Sequence, residues 1–352
     1  MTDQPSPFQQ FPLALLGFGN VGRAFAALLL AKEASIREAG IEFPVVAVAT
    51  GSHGMAVDPE GIPLQEALET AEQDGDFKTL SREKIDSVED LLERCGAKAV
   101  IETTPVNYQD GQPAVRYLEK ALELGMQAVT ANKGPVVHGY RSLTSLAEQQ
   151  GLNFYFESAV MDGAPVFAIG RCGLPGARVT AIRGVLNSTS NLILTRMENG
   201  ESFEAAVAYA QSIGIAETDP SGDVDGWDAA VKVAALVTVL MDIPLSPEDI
   251  QRTGIRGLSS EDLQQAAAEG KRWKLVCEAE LNPDQPGAFN AVVEPRMVDP
   301  GDPLYHTAGT SSVLQIESDV LGKLTLMEED PSPATTAYGL LADLLNAFNL
   351  NF

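Results

Sequence analysis

The sequence has little positive charge and no long apolar segment. Its 352 residues include 24 lysines and arginines against 49 aspartates and glutamates, a formal net charge of −25. Nucleic acids and anionic membranes are bound through basic surfaces, so this composition argues against both as partners. Apolar runs such as residues 233–237 are far shorter than the roughly 20 residues that a membrane-spanning helix needs.

Cysteines are also scarce. Cys95, Cys172 and Cys277 are odd in number and far apart, which excludes a disulfide framework and a CxxC metal pair. Such sparse thiols are typical of a reducing compartment. The first twelve residues, MTDQPSPFQQFP, have neither the basic nor the apolar part of a secretory signal. We therefore expect a cytoplasmic protein.

A glycine-rich motif follows the first apolar run. Residues 13–16 are predicted to form a buried strand, and an Ala/Leu-rich helix is predicted from Arg23. Between them, Gly17 permits a tight turn, Gly19 lets backbone approach a pyrophosphate, and Gly22 lets helix and strand pack closely. This arrangement is typical of dinucleotide binding. The candidate cofactor-binding residues are Gly17, Phe18, Gly19, Asn20, Val21 and Gly22.

The second predicted strand, residues 44–49, ends without the acidic residue that usually holds the ribose 2′-hydroxyl of NAD. Thr50 stands there instead, so no carboxylate repels a 2′-phosphate. This favours NADP or the use of both cofactors, although no arginine or lysine is present to bind the phosphate. His53 is the one possible cation at this turn, and an exposed loop histidine is the simpler interpretation.

Two further strands are predicted at residues 99–102 and 127–130. Thr103 and Thr104 follow the first, and Lys133 follows the second. Because open α/β sheets bind ligands at the carboxyl ends of their strands, these three residues are candidate cofactor contacts. The series predicts an α/β fold with a Rossmann-type, doubly wound parallel sheet.

Later segments alternate in the manner of strands in a mixed sheet, which predicts a second, α+β domain. A chain of this length exceeds the roughly 250 to 300 residues at which single cores stop growing. We expect residues 1–150 to bind the dinucleotide, residues 151–310 to carry the substrate site, and residues 311–352 to return to the nucleotide domain.

An acidic loop runs into an apolar helix at residues 216–241. Asp228 and Lys232 lie four residues apart and share one face of that helix. A buried ammonium must be paired, hydrated or used in chemistry. Upstream, Glu217 and Asp223 lie in a loop rich in proline and glycine. A structural ion pair beside a solvated loop is the alternative interpretation.

A polar loop follows the strand predicted at residues 179–185. Its sequence, LNSTSN, includes Ser188 and Thr189 and is suited to bind a polar or anionic ligand. The simpler interpretation is a helix N-cap formed by Ser188, Thr189 or Ser190.

Five segments together resemble the homoserine dehydrogenases, and they occur in the same order. They are GFGNVG (17–22), TANK (130–133), ESAVMDGAPV (157–166), GVLNSTSNLIL (184–194) and AETDPSGDVDGWDAAVKVAAL (216–236). The resemblance implies interconversion of L-homoserine and L-aspartate 4-semialdehyde with NAD or NADP, in threonine and methionine biosynthesis. It also implies a homodimer or higher homo-oligomer formed through the second-domain sheet. With neither a regulatory C-terminal domain nor a fused kinase, the chain resembles the short monofunctional form.

The resemblance also implies roles for individual residues. Lys232 matches the proton donor and acceptor, and a desolvated lysine can have its pKa lowered towards working pH. Lys133 matches a second lysine that polarises the carbonyl or holds the substrate. The substrate-binding candidates are Glu217, Asp228, Asp223, Thr189 and Ser188.

A structural Na⁺ or K⁺ is a further implication of the resemblance. The matching segment offers Glu157, Val160 and Asp162, whose oxygens suit a hard cation.

Two departures from the family pattern leave alternatives open. Ser188 replaces a glycine of the substrate loop, and Glu328, Glu329 and Asp330 stand where a glycine-rich turn is expected near the cofactor. The alternatives are a non-catalytic nucleotide-binding sensor and another NAD(P) reductase of an amino-acid-derived carbonyl. An aspartate-semialdehyde dehydrogenase is disfavoured, because none of the cysteines has the setting of a nucleophile.

Overall fold

The computed structural model describes residues 8–282, 284–285 and 288–350, so most of the N-terminal segment tested for a signal lies outside the described residues. The chain divides into two compact units. One contains the residues up to Pro165 and those from Ser332 onward, and the other is Val166–Pro331. These limits lie further along the chain than the 150/151 and 310/311 limits expected from the sequence.

The first unit is built from short parallel strands that alternate with helices. Its elements before the second unit are β1 (Gln9–Gln10), β2 (Leu13–Leu16), α1 (Asn20–Glu38), β3 (Ile41–Glu42), β4 (Val45–Ala49), β5 (Met55–Val57), α2 (Leu64–Glu72), α3 (Val88–Arg94), β6 (Ala99–Glu102), α4 (Ala114–Glu123), β7 (Gln127–Thr130), α5 (Lys133–His138), α6 (Tyr140–Gln150) and β8 (Phe154–Tyr155).

The main sheet of this unit has the order β5-β4-β2-β6-β7-β8, with β5 antiparallel and the other strands parallel. Strands β2, β4, β6 and β7 are buried along their whole length. Continuous apolar runs of this kind fit a parallel sheet that helices cover on both faces. The predicted Rossmann-type α/β fold is confirmed.

The second unit is organised around a mixed sheet. Its elements are α7 (Val166–Ala168), β9 (Val179–Val185), α8 (Ser188–Glu198), α9 (Phe203–Ser212), α10 (Ser221–Val224), α11 (Trp227–Leu240), β10 (Gln251–Arg252), α12 (Ser260–Ala268), β11 (Arg272–Leu281), β12 (Phe289–Val298), β13 (Ser312–Ser318) and β14 (Gly322–Glu328). The strand order is β10-β12-β11-β9-β13-β14, in which only the β10–β12 pair is parallel. The predicted mixed sheet is confirmed.

Strand β14 was not predicted from the sequence. It pairs with β13 along its length, with Ser312 opposite Glu328 and Leu314 opposite Leu326. The acidic segment that departs from the family pattern therefore begins as an edge strand of this sheet. Because β13 also pairs with β9, these two strands belong to the sheet of the second unit.

The chain returns to the first unit through α13 (Pro333–Ala347), which packs against α1. Leu340 and Leu344 are fully buried in the same apolar cluster as Phe25 and Leu29. The C-terminal helix thus completes the core of the nucleotide unit.

None of the helices in the described ranges has both the length and the apolar character needed to cross a bilayer. The three cysteines are free; Cys95 and Cys277 are buried, and Cys172 is exposed.

Candidate active site

The glycine-rich loop has two glycines that the fold itself requires. Gly17 has a φ of +99°, and a Cβ there would lie 2.6 Å from the Thr103 backbone. A Cβ on Gly22 would lie 2.5 Å from the Gly17 carbonyl oxygen. At Gly19, by contrast, a Cβ would meet no atom within 4 Å. The protein's own packing thus leaves space at Gly19, the position at which backbone is expected to approach a pyrophosphate.

Helix α1 begins at Asn20, and no side chain caps its first turn. Its N–H groups and positive dipole end therefore remain available to an anion. Phe18 is buried and packs edge-on against Phe77, with ring centroids 5.4 Å apart. Val21 lines a cavity of about 170 Å³ together with residues of two neighbouring loops, namely Thr103, Thr104, Val106, Ala131, Asn132 and Lys133.

The two threonines after β6 turn their hydroxyls towards the protein. Thr103 Oγ1 donates to the Gly17 carbonyl at 3.1 Å, and Thr104 Oγ1 donates to Glu102 Oε1 at 2.5 Å. Thr103 thus braces the glycine-rich loop, and Thr104 is tied to the strand end.

Sequence reasoning assigned no role to Glu102, the last residue of β6, although it is fully buried. Its Oε2 accepts a hydrogen bond from Thr130 Oγ1 at 2.5 Å. Burial raises the pKa of Glu102, while hydrogen bonds from Thr104, Thr130 and Asn132 act in the opposite direction. A glutamate that ends an otherwise apolar strand was the available signal.

Lys133 is the first residue of α5 and is half-buried. The helix is capped by Asn132, whose Oδ1 accepts a hydrogen bond from the Gly134 N–H at 2.9 Å. Asparagine is a favoured N-cap, so the TANK segment places its lysine at a defined helix start.

The turn after β4 is closed by Thr50, whose Oγ1 accepts a hydrogen bond from the His53 N–H at 2.7 Å. The His53 ring is also engaged, with Nδ1 3.1 Å from the Gly75 carbonyl. A Cβ on Gly54 would lie 2.7 Å from Asp76 Oδ1, and Asp76 forms an ion pair with Lys78 at 3.6 Å. Tertiary structure therefore brings a carboxylate to a turn that has none in its own sequence.

In the second unit, Lys232 lies on α11 with its side chain 13% exposed. Its Nζ is 3.4 Å from Asp228 Oδ2 and donates to the Leu186 carbonyl at 2.6 Å. Leu186 follows β9, so the lysine is held both from its own helix and from the central sheet. These two acceptors orient the ammonium.

Asn187 links this lysine to the acidic loop. Its Nδ2 donates to Asp223 Oδ1 at 2.7 Å and to Asp228 Oδ2 at 2.9 Å. Its Oδ1 accepts from the Ser190 N–H at 2.7 Å and so caps α8. The cap predicted at Ser188, Thr189 or Ser190 is therefore wrong by at least one residue, although an asparagine at a strand end before a helix is itself a cap signal.

We refer to Asn187, Asp223, Asp228 and Lys232 as the Lys232 cluster. Burial raises the pKa of the Asp223 carboxyl, and the charge of Asp228 acts in the same direction. Hydrogen bonds from Asn187 and Thr189 oppose this shift. Two close carboxylates of this kind suit a cationic ligand, because a positive charge would favour their ionised forms.

The other substrate candidates lie beside this cluster or outside it. Thr189 is buried and donates to the Ile215 carbonyl at 3.3 Å, and Ser188 is the half-buried first residue of α8. Glu217 is exposed, and its backbone carbonyl accepts from Gln211. The hydrogen bonds that the structure describes do not tie the Glu217 carboxylate to the Lys232 cluster.

Comparison with known proteins places both units in one family. Residues 165–345 match the family described as homoserine dehydrogenase, and residues 17–157 match the homoserine dehydrogenase NAD-binding domain. The chain belongs to the homoserine dehydrogenase family. The predicted family, its NAD-binding domain and its assignment as an NAD(P)-dependent oxidoreductase of amino-acid biosynthesis are confirmed.

Relatives match along almost the whole chain. The NAD(+)-dependent homoserine dehydrogenase of Pseudomonas canavaninivorans is 34% identical over 339 residues, 96% of each chain. The homoserine dehydrogenase of Methanocaldococcus jannaschii is 32% identical over 340 residues, 96% of this chain and 98% of that one.

Solved structures agree. A homoserine dehydrogenase from Thermoplasma acidophilum has a TM-score of 0.82 at 25% identity, covering 97% of this chain and 100% of that one. A hyperthermophilic archaeal homoserine dehydrogenase in complex with NADPH has a TM-score of 0.80 at 28% identity, covering 97% and 98%.

The candidate cation segment of this homoserine dehydrogenase family member lies against α13 within the first unit. The backbone N–H of the buried Glu157 donates to Asp343 Oδ2 at 2.6 Å. Asp162, at a φ of +41°, accepts from Thr336 Oγ1 at 2.6 Å. Val160 is buried. Among the described residues, no group of three or more His, Cys, Asp or Glu side chains is arranged to hold a metal ion.

Proposed function

We propose that this chain oxidises L-homoserine to L-aspartate 4-semialdehyde, and reduces the aldehyde, in threonine and methionine biosynthesis. The observation that carries the proposal is the Lys232 cluster: a lysine held by Asp228 and the Leu186 carbonyl beside a second carboxylate, in a member of this family. Bound NAD or NADP supplies the hydride acceptor or donor.

Lys232 is the proposed acid and base. Its amine takes the hydroxyl proton of homoserine during oxidation, and its ammonium returns a proton to the forming alkoxide during reduction. Asp228 and the Leu186 carbonyl both accept from the ammonium, so they orient it through the reaction. Lys133, held at the start of α5, is proposed to polarise the carbonyl oxygen or to bind the substrate.

The substrate's ammonium is proposed to bind the acidic side of the cluster. Asp223 and Asp228 are positioned by Asn187, and their negative charge complements an amino group. Thr189 and Ser188 lie at the start of α8 and are proposed to contact the polar end of the substrate. Glu217 is proposed to bind the substrate on the basis of the sequence resemblance.

For the cofactor, the glycine-rich loop fits a pyrophosphate, since the backbone at Gly19 is open and α1 presents an uncapped N-terminus. We propose that NAD is preferred over NADP, which departs from the preference inferred from the sequence. Asp76 brings negative charge to the turn after β4, and His53 is engaged by Gly75. The Asp76 carboxylate would repel a 2′-phosphate there, and its exposed ion pair with Lys78 at 3.6 Å weakens but does not remove this repulsion.

A steady-state assay tests the activity. Nicotinamide absorbance is followed with homoserine and each cofactor, for the wild type and for Gly19→Ala. The alanine leaves the protein's own packing free of clashes, so its circular dichroism should be unchanged while cofactor binding weakens by roughly tenfold. Absence of turnover by the wild type with both cofactors would contradict the proposed function.

Cofactor preference is read from kcat/KM for NAD and NADP. Asp76→Asn should raise the relative efficiency with NADP by about tenfold, since about 1.4 kcal/mol of repulsion is removed. The matched control is Asp74→Asn, an exposed carboxylate on the same loop. A higher efficiency with NADP in the wild type would refute the proposed preference.

Three further expectations concern a bound cation, the oligomeric state and the cellular compartment. A Na⁺ or K⁺ held through Glu157, Val160 and Asp162 would be structural, and Tm in sodium, potassium and tetramethylammonium salts tests it. A homodimer through the second-unit sheet is supported by the exposed apolar residues Leu321 and Met327. Light scattering reports its mass. A reducing cytoplasm suits the free cysteines.

A further inference from the structure

One buried carboxylate joins the two loops that line the cavity of the first unit. Glu102 ends β6, and its side chain is fully shielded from solvent. Burying a carboxylate is costly, and an apolar residue of similar size would stabilise the sheet at least as well. A role beyond packing is therefore the better explanation for a buried carboxyl group at this position.

Among the described residues, its hydrogen-bond donors come from the loop after β6 and from the last residue of β7 with the loop that follows it. Thr104 donates to Oε1 through its N–H at 2.7 Å and through its hydroxyl at 2.5 Å. Thr130 Oγ1 donates to Oε2 at 2.5 Å, and Asn132 Nδ2 lies 3.5 Å from Oε1. Because Thr130 Oγ1 also accepts from the Asn132 N–H at 2.9 Å, the network is continuous from Thr104 to Asn132.

The far end of this network is the start of α5. Asn132 caps that helix through Gly134 and also donates to the Thr104 carbonyl at 3.2 Å. Lys133 is the next residue, and it lines the 170 Å³ cavity with Thr104 and Asn132. Displacement of Glu102 would remove the hydrogen bonds by which it holds the loops after β6 and β7. These loops line the cavity, and the second one leads into the backbone that carries Lys133.

We propose that Glu102 is a positioning residue that holds Lys133 and the Thr103–Thr104 loop in the geometry that the reaction needs. The inference rests on the function proposed above for Lys133 and for the nucleotide unit. In this role Glu102 contacts neither substrate nor cofactor, and it acts through Thr104, Thr130 and Asn132. A fixed loop geometry matters because a misplacement of about 1 Å can cost a factor of roughly a hundred in rate.

The test compares Glu102→Gln, Thr130→Val and their double variant with the control Gln127→Met. Gln127 is a buried polar residue at the opposite end of β7, where it accepts hydrogen bonds from Asn153. The measurements are Tm, dissociation constants for NAD and NADH by fluorescence titration, and kcat and KM for homoserine.

Glu102→Gln should lower kcat by roughly tenfold or more and weaken nucleotide binding several-fold. The KM for homoserine separates the two roles proposed for Lys133: it should stay near the wild-type value if Lys133 only polarises the carbonyl, and it should rise if Lys133 binds the substrate. Thr130→Val should give the same pattern, and the double variant should be no worse than the stronger single variant, since both break one network. Gln127→Met should lower Tm while the folded protein keeps its kcat and dissociation constants.

The proposal is overturned if Glu102→Gln leaves kcat and both dissociation constants within about twofold of the wild type, or if Gln127→Met causes the same losses. Should the wild type fail to turn over homoserine, the proposed function falls, but the nucleotide dissociation constants still decide this inference. Weaker binding in Glu102→Gln would support it, and unchanged binding would refute it.

Discussion

Lys232 of α11 and Lys274 of β11 lie beside different parts of helix α8 in the second unit, and their surroundings differ. Near its N-terminus, Lys232 is 13% exposed and is held by a carboxylate and a carbonyl. Further along, Lys274 on β11 is fully buried; its Nζ donates to Asn191 Oδ1 at 3.1 Å and to the Thr307 carbonyl at 2.5 Å. The first lysine remains accessible to a ligand, and the second is sealed inside the protein.

The pKa of Lys274 reflects its burial. Burial lowers the pKa of Lys274 to about 8, while the charge of Glu198 opposes that shift. Glu198 forms a 3.7 Å ion pair with Arg272, and its Oε1 has no hydrogen-bond partner among the described residues. A buried lysine with a perturbed pKa is thus not sufficient to indicate catalysis. Access to a ligand and a neighbouring binding group are needed as well.

The largest expected effect is on activity at the accessible lysine. Lys232→Ala should lower kcat/KM for homoserine by a factor of 10²–10⁴, about 3 to 5 kcal/mol, because the acid and base is lost. Tm should also fall, because the buried Asp228 carboxylate loses its cation and the Leu186 carbonyl loses its donor, so the kinetics are measured well below the Tm of the variant. Steady-state kinetics and thermal melts check this, and full activity in the variant would remove the role proposed for Lys232.

For the buried Lys274, we expect a loss of stability without a loss of activity. Lys274→Met should lower the free energy of unfolding by about 3 kcal/mol, because Glu198 loses a buried positive neighbour and two acceptors lose their donor. Urea denaturation measures the loss. Adding Glu198→Gln should recover part of it, and the folded single variant should keep its kcat. A large fall in kcat with unchanged stability would reverse the comparison.

The pH dependence of stability tests whether burial lowers the pKa of Lys274. Burial lowers the pKa of Lys274 in the folded protein to about 8, below the ordinary lysine value of 10.5, so the unfolded chain binds more protons between these pH values. The free-energy cost of burying the protonated Lys274 ammonium is fully present below pH 8 and is relieved as the pH rises towards 10.5. The stability of the wild type relative to Lys274→Met should therefore rise by up to about 1.4 kcal/mol per pH unit in that window. A difference that stays flat or falls would contradict the shift.

The smallest expected effect separates the two tasks of Asn187. Asn187→Ser keeps a favoured N-cap but removes the amide that donates to Asp223 and Asp228. The free energy of unfolding should fall by about 1 to 2 kcal/mol because two buried carboxylates lose a donor, while the KM for homoserine rises by roughly threefold to tenfold. Asn187→Ala is the matched variant that loses both tasks. Equal kinetics in the serine variant and the wild type would show that capping alone matters.

Much of the fold could be predicted because its signals are local. The β2 strand, the glycine-rich loop and the start of α1 follow one another directly, and the apolar strands of a buried parallel sheet need no tertiary information to be recognised. Strand β14 was missed because an exposed edge strand lacks that apolar pattern. Its pairing with β13 is a long-range property of the sheet.

For the candidate site, spacing along one helix predicted that Asp228 and Lys232 share a face, and a strand end predicted the place of Lys133. The partners of those lysines could not be predicted in the same way. Leu186 reaches Lys232, and Asn187 reaches Asp228, through the packing of α11 on the sheet. Glu102 reaches Asn132 through the pairing of β6 with β7. Asp76 reaches Gly54 through a folded loop.

The sequence by itself determined the family, the Rossmann-type unit and the residue types available for chemistry, because each is written in contiguous motifs. Only the tertiary structure decided which lysine is accessible, which carboxylates share a donor, and which buried glutamate joins two loops. The physical reason is that burial and hydrogen bonding between distant residues depend on strand register and helix packing, which arise only when the whole unit has folded.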